Sequence, residues 1–238
     1  MILTLDKVNS FYGESQILFD VSLGVEEGSC VCILGRNGVG KSTTMKSIVG
    51  QMSARNKARA TGSILFDGKE LVGMSTFKVA RTGMAYVPQG RHIFPNLTVK
   101  ENLLLAERKG VDGSKAWNLD TIYELFPRLK ERETHWGNNL SGGEQQMLAI
   151  ARGLIQNPRI LILDEITEGL APIVVNQLAE VLEKIREAKV TVLLAEQNIK
   201  FALKVSQECY IMEKGTIVYH NASTDIPGEV IDKYLGAN

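Results

Sequence analysis

Apolar and polar positions alternate along Ile2–Val8 and Ile17–Val25, and this period of two predicts half-buried strands joined near Tyr12-Gly13-Glu14. Cys30–Leu34 is apolar throughout, a short buried strand running straight into a glycine-rich stretch, after which Lys41–Gln51 reads as a helix. Ser53–Thr61 is polar, carries Arg55, Lys57 and Arg59, and reads as a solvated surface loop. Ile64–Phe66 and Met84–Val87 are further short strands, separated by a helix-like stretch near Ser75–Thr82. From Gly90 to about Asn157 the pattern turns mainly helical, over Val99–Lys109, Asp120–Phe126 and Gly142–Gln156, with Asp112-Gly113-Ser114 breaking the first two apart. Ile160–Leu163 and Val190–Ala195 are continuous apolar runs, as in parallel strands buried on both faces, and Ile173–Ala188 between them is helical by spacing. After Tyr210–Met212, the chain turns at Glu213–Thr216 and closes with a helix at Glu229–Leu235. Strands alternating with helices predict an α/β fold with a parallel sheet, whose ligands sit at the carboxyl ends of the strands.

Lys plus Arg equals Asp plus Glu at 27 each, so no broad basic field is available for nucleic acid. Of the three cysteines, Cys30 and Cys32 lie two apart on one side of a strand and read as core residues. The start of the chain lacks a basic segment followed by a long apolar one, so no secretory signal is expected. No apolar run approaches the roughly 18 residues that span a bilayer, so a membrane role would come through a partner.

The candidate chemistry sits in three places. Gly35-Arg36-Asn37-Gly38-Val39-Gly40-Lys41-Ser42 fits G-x-x-x-x-G-K-[ST], a loop whose amides cradle phosphates, and it lies between a strand and a helix as that chemistry requires. Lys41 is expected on the β and γ phosphates and Ser42 on Mg²⁺; Arg36, Asn37, Gly38, Val39, Gly40 and Thr43 complete the candidate nucleotide contacts. Leu161–Glu165 ends a buried strand with two carboxylates, which must emerge beside partners to escape a burial cost. Asp164 is the candidate Mg²⁺ residue and Glu165 the group that positions or deprotonates the attacking water. Successive strand residues point oppositely, so both can face the phosphates only if the strand breaks there.

Ser141-Gly142-Gly143-Glu144 fits a helix capping box. The box does not explain two first-turn glycines, each costing up to about 1 kcal/mol against alanine. Something approaching the backbone closely would explain them, and a helix N-terminus attracts anions. The γ-phosphate of a nucleotide held by a second subunit is a candidate.

With these motifs in this order, the chain resembles the ATP-binding cassette (ABC) ATPases, the motor subunits of membrane transporters. Gly35–Ser42 matches the family's Walker A motif, Leu140–Glu144 its signature and Leu161–Glu165 its Walker B motif. The resemblance implies an α/β P-loop NTPase core with a parallel sheet, an N-terminal antiparallel β subdomain and an inserted α-helical subdomain. The core would span 1–89 and 158–238, and the helical subdomain 90–157. It also implies ATP and Mg²⁺ as ligands, Tyr12 stacked on adenine, Gln89 as the Q-loop residue on Mg²⁺ or water, and Ser141, Gly142 and Gly143 on a partner's nucleotide. Two departures stand out: Gln197 replaces the family's switch histidine, and Ile166 replaces the proline that commonly follows the Walker B glutamate. Glutamine can hydrogen-bond a phosphate oxygen but cannot become a cation near neutral pH.

Glu196-Gln197-Asn198, Glu168–Pro172 and Gly90–Thr98 resemble the ATPases of branched-chain amino acid importers, and Gly35–Gly40 looks somewhat like the urea branch, whose relatives also import short-chain amides. The partners implied are a second ATPase subunit, in a heterodimer or a homodimer, membrane-spanning permease subunits, and indirectly a solute-binding protein. The place implied is peripheral, on the cytoplasmic face of the cell's inner membrane. Gly90–Leu97, exposing Ile93 and Phe94, is the candidate coupling surface; both residues packing inside the helical lobe is the alternative. A genome-maintenance ATPase would need a long coiled coil between Lys41 and Leu140, where no sustained heptads occur. A translation-linked ATPase would usually carry two cassettes in one chain, and this chain has one.

Overall fold

The computed structural model describes residues 1–53 and 57–236. Strands β1 (Leu3–Tyr12) and β2 (Ser15–Val25) pair antiparallel around the turn at Gly13-Glu14. Strand β3 (Cys30–Leu34), wholly buried, leads through residues 35–40 into helix α1 (Lys41–Ile48). Strands β4 (Ala58–Phe66) and β5 (Lys69–Glu70), helix α2 (Thr76–Ala80) and strand β6 (Met84–Val87) follow. The loop expected over Ser53–Thr61 is therefore strand from Ala58 onward. Those residues pair with Asn9–Tyr12 of β1, and Arg59 lies 4.2 Å from the centre of the Phe11 ring. A polar segment becomes a strand here because a neighbouring edge accepts its backbone, a preference that local pattern does not carry. Arg55, placed in the same loop by its sequence, lies outside the described residues.

Helices α3 (Val99–Ala106), α4 (Leu119–Leu125), α5 (Pro127–Glu131) and α6 (Gly142–Leu154) occupy the stretch between β6 and β7 (Ile160–Asp164). Thr98, Asn118 and Ser141 cap three of them through capping boxes, and Pro127 opens α5 with its φ already helical. The chain then runs through α7 (Pro172–Glu187), β8 (Thr191–Glu196), α8 (Ile199–Val205), β9 (Glu208–Glu213), β10 (Thr216–Ala222) and α9 (Gly228–Tyr234).

The strands form two sheets. The smaller is antiparallel, in the order β2-β1-β4-β5; the larger runs β10-β9-β3-β8-β7-β6, parallel except for its β10 edge. Both faces of the larger sheet are covered, which is why its central strands are continuously apolar. Cys30, Cys32, Leu34, Leu161, Leu163, Val192 and Leu194 pack on one face against residues of α3, α6, α7 and α8. Val31, Ile33, Ile160, Ile162, Leu193 and Ala195 pack on the other against α1 and the small sheet. Cys30 and Cys32 are core residues on one side of β3, as their spacing predicts. Among the described residues no helix is long and apolar enough to cross a membrane.

Candidate active site

The carboxyl ends of β3, β7, β8 and β6 lie side by side in the large sheet, and the candidate residues gather there. Residues 35–40 turn away from β3 with Gly40 at φ +117, and a Cβ on Gly40 would lie 2.8 Å from Leu18 Cδ2. Gly40 is the N-cap of α1. The helix begins with no side-chain cap and no acidic residue in its first turn, so its positive end is left for an anion. Arg36, Asn37 and Gly38 at the crest are exposed, Val39 is half-buried, and its carbonyl accepts from Gly215 N at 2.8 Å. Thr43 is half-buried and its carbonyl accepts from Ser47 Oγ at 2.8 Å.

Lys41 is 3% exposed. Its Nζ donates to the carbonyls of Gly35 (2.8 Å) and Arg36 (3.0 Å) and pairs with Glu165 Oε1 at 2.9 Å. Ser42 Oγ donates to Asp164 Oδ1 at 3.0 Å, and Tyr86 OH donates to Asp164 Oδ2 at 3.0 Å. Burial pushes the Asp164 carboxyl above the usual carboxylate range; the bonds from Ser42 and Tyr86 oppose this, and the neighbouring Glu165 charge adds to it. The Tyr86 hydroxyl is also raised, by burial and by the Asp164 charge.

Asp164 and Glu165 both reach the loop because β7 ends between them. Glu165 has φ +49, a left-handed conformation costly for a residue with a side chain, and it turns the second carboxylate onto Lys41. The strand break that the sequence required is present. Gln89 Nε2, just past β6, donates to Glu165 Oε2 at 3.1 Å and Glu168 Oε2 at 2.7 Å. Gln197, just past β8, lines a cavity of about 170 Å³ with Gly35, Arg36 and Leu235. The structure thus brings together Lys41, Ser42, Gln89, Asp164 and Glu165, with Gln197 bordering the loop.

Two predicted groups make no direct contact with the loop. Tyr12 is 37% exposed at the end of β1, with no ring contact or side-chain hydrogen bond to the loop among the described residues. Ser141, Gly142 and Gly143 begin α6, and no hydrogen bond, ion pair or shared cavity among the described residues links them to Gly35–Ser42. Their capping box is complete: Ser141 Oγ accepts from Glu144 N at 3.3 Å, and Glu144 Oε2 accepts from Ser141 N at 2.8 Å. Burial raises the Glu144 carboxyl, but the Ser141 bonds and the Arg132 charge outweigh it and leave it lowered. The close approach expected at the glycines is partly filled from within. A Cβ on Gly143 would lie 2.8 Å from Val174 Cγ1 of α7, and one on Gly142 would lie 2.9 Å from Arg91 Nη2.

Tyr86 and Thr167 are given no role by the sequence reading, and Glu168 and Glu196 enter it only within the stretches that carry the resemblance, with no role of their own. The coupling segment divides: Ile93 packs on the core, whereas Phe94 is 43% exposed with the Arg152 guanidinium 4.4 Å from its ring centre.

Residues 18–168, more than half the chain, match the ABC transporter family. The high-affinity branched-chain amino acid transport ATP-binding protein BraG of Pseudomonas aeruginosa is 43% identical over 237 residues, covering 99% of this chain and 100% of that one. The probable branched-chain amino acid transport ATP-binding protein LivF of Archaeoglobus fulgidus is 34% identical, over 92% of each chain. Among solved structures, an ATP-binding cassette of an ABC transporter in its ADP conformation superposes with a TM-score of 0.81 over 99% of both chains, at 23% identity, and so shares the fold.

Proposed function

The chain belongs to the ABC transporter family, and on that footing we propose that it is the ATP-binding and ATP-hydrolysing subunit of an importer for branched-chain amino acids. The convergence of Lys41, Ser42, Asp164, Glu165 and Gln89 at the carboxyl ends of the strands carries the ATPase part. Likeness to a branched-chain amino acid transport subunit along the full chain supports the solute. Urea or short-chain amides are the second reading, favoured by the wording of Gly35–Gly40.

In the proposed reaction Lys41 Nζ exchanges Glu165 for the β and γ phosphates of ATP. Glu165 then takes a proton from water as its oxygen attacks the γ phosphorus; the bond to the bridging oxygen breaks and ADP leaves. Gln89 and Gln197 orient the water and the γ-phosphate oxygens. Mg²⁺ suits the donors: Ser42 Oγ and Asp164 Oδ1 are hard oxygens, and this ion needs only one or two protein ligands beside phosphate and water. When bound, it neutralises charge developing on the phosphate oxygens. Single-turnover ATP cleavage tests the reading; an unaltered chain that binds ATP yet never cleaves it, alone or with its permease, contradicts it.

Ser141–Gly143 complete the nucleotide site of a second ATPase subunit in a head-to-tail pair, and residues 90–157 pass its opening and closing to the permease. Tyr12 stacks on the adenine. Phe94, exposed beyond Gln89, is the docking residue, so Phe94→Asp should leave the free chain's ATPase intact and abolish its stimulation by permease and solute. Unchanged stimulated turnover counts against that role. Beside a partner ATPase that keeps the histidine, the site built on Gln197 would be the slower of two. Gln197→His should then raise the single-turnover rate severalfold, and an unchanged rate refutes the asymmetry.

A further inference from the structure

Glu196 ends β8, a strand buried along its whole length, and is itself only 1% exposed. A carboxylate so placed needs donors, and Glu196 has four. Its Oε1 accepts from Thr167 N at 3.0 Å. Its Oε2 accepts from Thr167 Oγ1 at 2.9 Å, Gln197 N at 3.2 Å and Asn198 N at 3.4 Å. The backbone of the same strand end holds two further parts of the site. The Glu196 carbonyl accepts from Gly35 N at 3.2 Å, and the Ala195 carbonyl accepts from Glu165 N at 2.9 Å.

Three segments that are distant in sequence therefore meet at one side chain and its peptide neighbours: the start of the phosphate loop, the turn carrying Glu165, and the segment carrying Gln197. We propose that Glu196 is a positioning residue for ATP hydrolysis, a clamp that fixes Thr167 and Gln197 in one frame, so that Glu165 and Gln197 address the γ-phosphate together. The inference rests on the ATPase function proposed above.

The chemistry favours a carboxylate over its neutral analogue. Burial raises the Glu196 carboxyl, while the bonds from Thr167, Asn198 and Gln197 draw it back. A glutamine has one acceptor oxygen for these four donors, and its amide hydrogens would face N–H groups, leaving buried donors unmatched. Thr167 is the other half of the clamp because it donates twice. Asn198 separately caps α8 through its side chain, which accepts from Phe201 N at 3.1 Å, so the helix start does not depend on Glu196 alone.

Steady-state ATPase, ATP affinity and thermal melting of Glu196→Gln, Thr167→Val, Thr167→Ser and the double variant Glu196→Gln/Thr167→Val test the clamp. The expected result for Glu196→Gln and Thr167→Val is a kcat lower by about tenfold with ATP affinity within about twofold, a size typical of coupling inside one hydrogen-bond network. Thr167→Ser, which keeps both donors, should recover most of what Thr167→Val loses. The double variant should fall no lower than the more impaired single variant. A folded Glu196→Gln with full kcat overturns the clamp, as do losses that multiply or a melting shift without a kcat change. Should Glu196→Gln fail to fold, the two Thr167 variants decide on the same terms. No ATP cleavage by the unaltered chain would overturn the proposed function itself, and the clamp with it.

Discussion

Replacing Glu165 by glutamine should lower ATP turnover by about 10²–10⁴-fold, the share a positioned general base supplies, while ATP binding survives. Glu165 is held by two contacts of different kinds: an ion pair to Lys41 at 2.9 Å and a hydrogen bond from Gln89 at 3.1 Å. Glutamine keeps the shape and can still accept from one of these, so the loop geometry persists. What it lacks is a carboxylate able to take the water's proton. With hydrolysis blocked, the ATP-bound pair of ATPase subunits should accumulate, visible as an ATP-dependent rise in mass when the variant is mixed with its partner ATPase subunit. Normal turnover in this variant would remove Glu165 from the reaction.

Asp164→Asn should separate stability from function. Burial raises the carboxyl, with Ser42 and Tyr86 as its side-chain hydrogen-bond partners among the described residues. A folded-state pKa above the unfolded value means that the folded chain binds the proton more tightly. Stability from this group is therefore greatest at low pH and is lost as pH rises through the raised pKa. Asparagine has no proton to lose there and can still accept from Ser42. The variant should match the parent in acid and melt higher than it once the pH is above the raised carboxyl value. Its ATPase should fall by about a hundredfold or more, because the charge proposed to hold Mg²⁺ is gone. A variant that melts lower at every pH would contradict the burial argument.

Much of this arrangement was legible in residue order. The spacing of Gly35–Ser42 between a strand and a helix implied the phosphate loop, and Asp164-Glu165 at the end of an apolar run implied a break in β7. The positive φ of Glu165 is that break. Short-range pattern failed where long-range partners decide. Ala58–Thr61 ends a segment that reads as a polar loop and becomes strand because β1 extends to Tyr12 and pairs with it. Glu196 enters the sequence reading only beside Gln197 and Asn198, with no role of its own, and its contact with Thr167 is one that only the fold makes. Tyr86 likewise sits unremarked on β6 until β7 places Asp164 beside it. The glycines of α6 read as an opening for a ligand; within the chain Val174 and the Arg91 guanidinium approach them, and a nucleotide on that helix start would belong to a second subunit.

Solute uptake decides whether this ATPase powers the transport proposed for it. The chain is reconstituted with its permease subunits, its second ATPase subunit and its solute-binding protein in vesicles with ATP on the ATPase face, and labelled leucine is followed across the membrane. ATP-dependent leucine accumulation that disappears with Glu165→Gln is the expected result. Accumulation that persists in that variant, or uptake of urea or an amide in place of leucine, would contradict it.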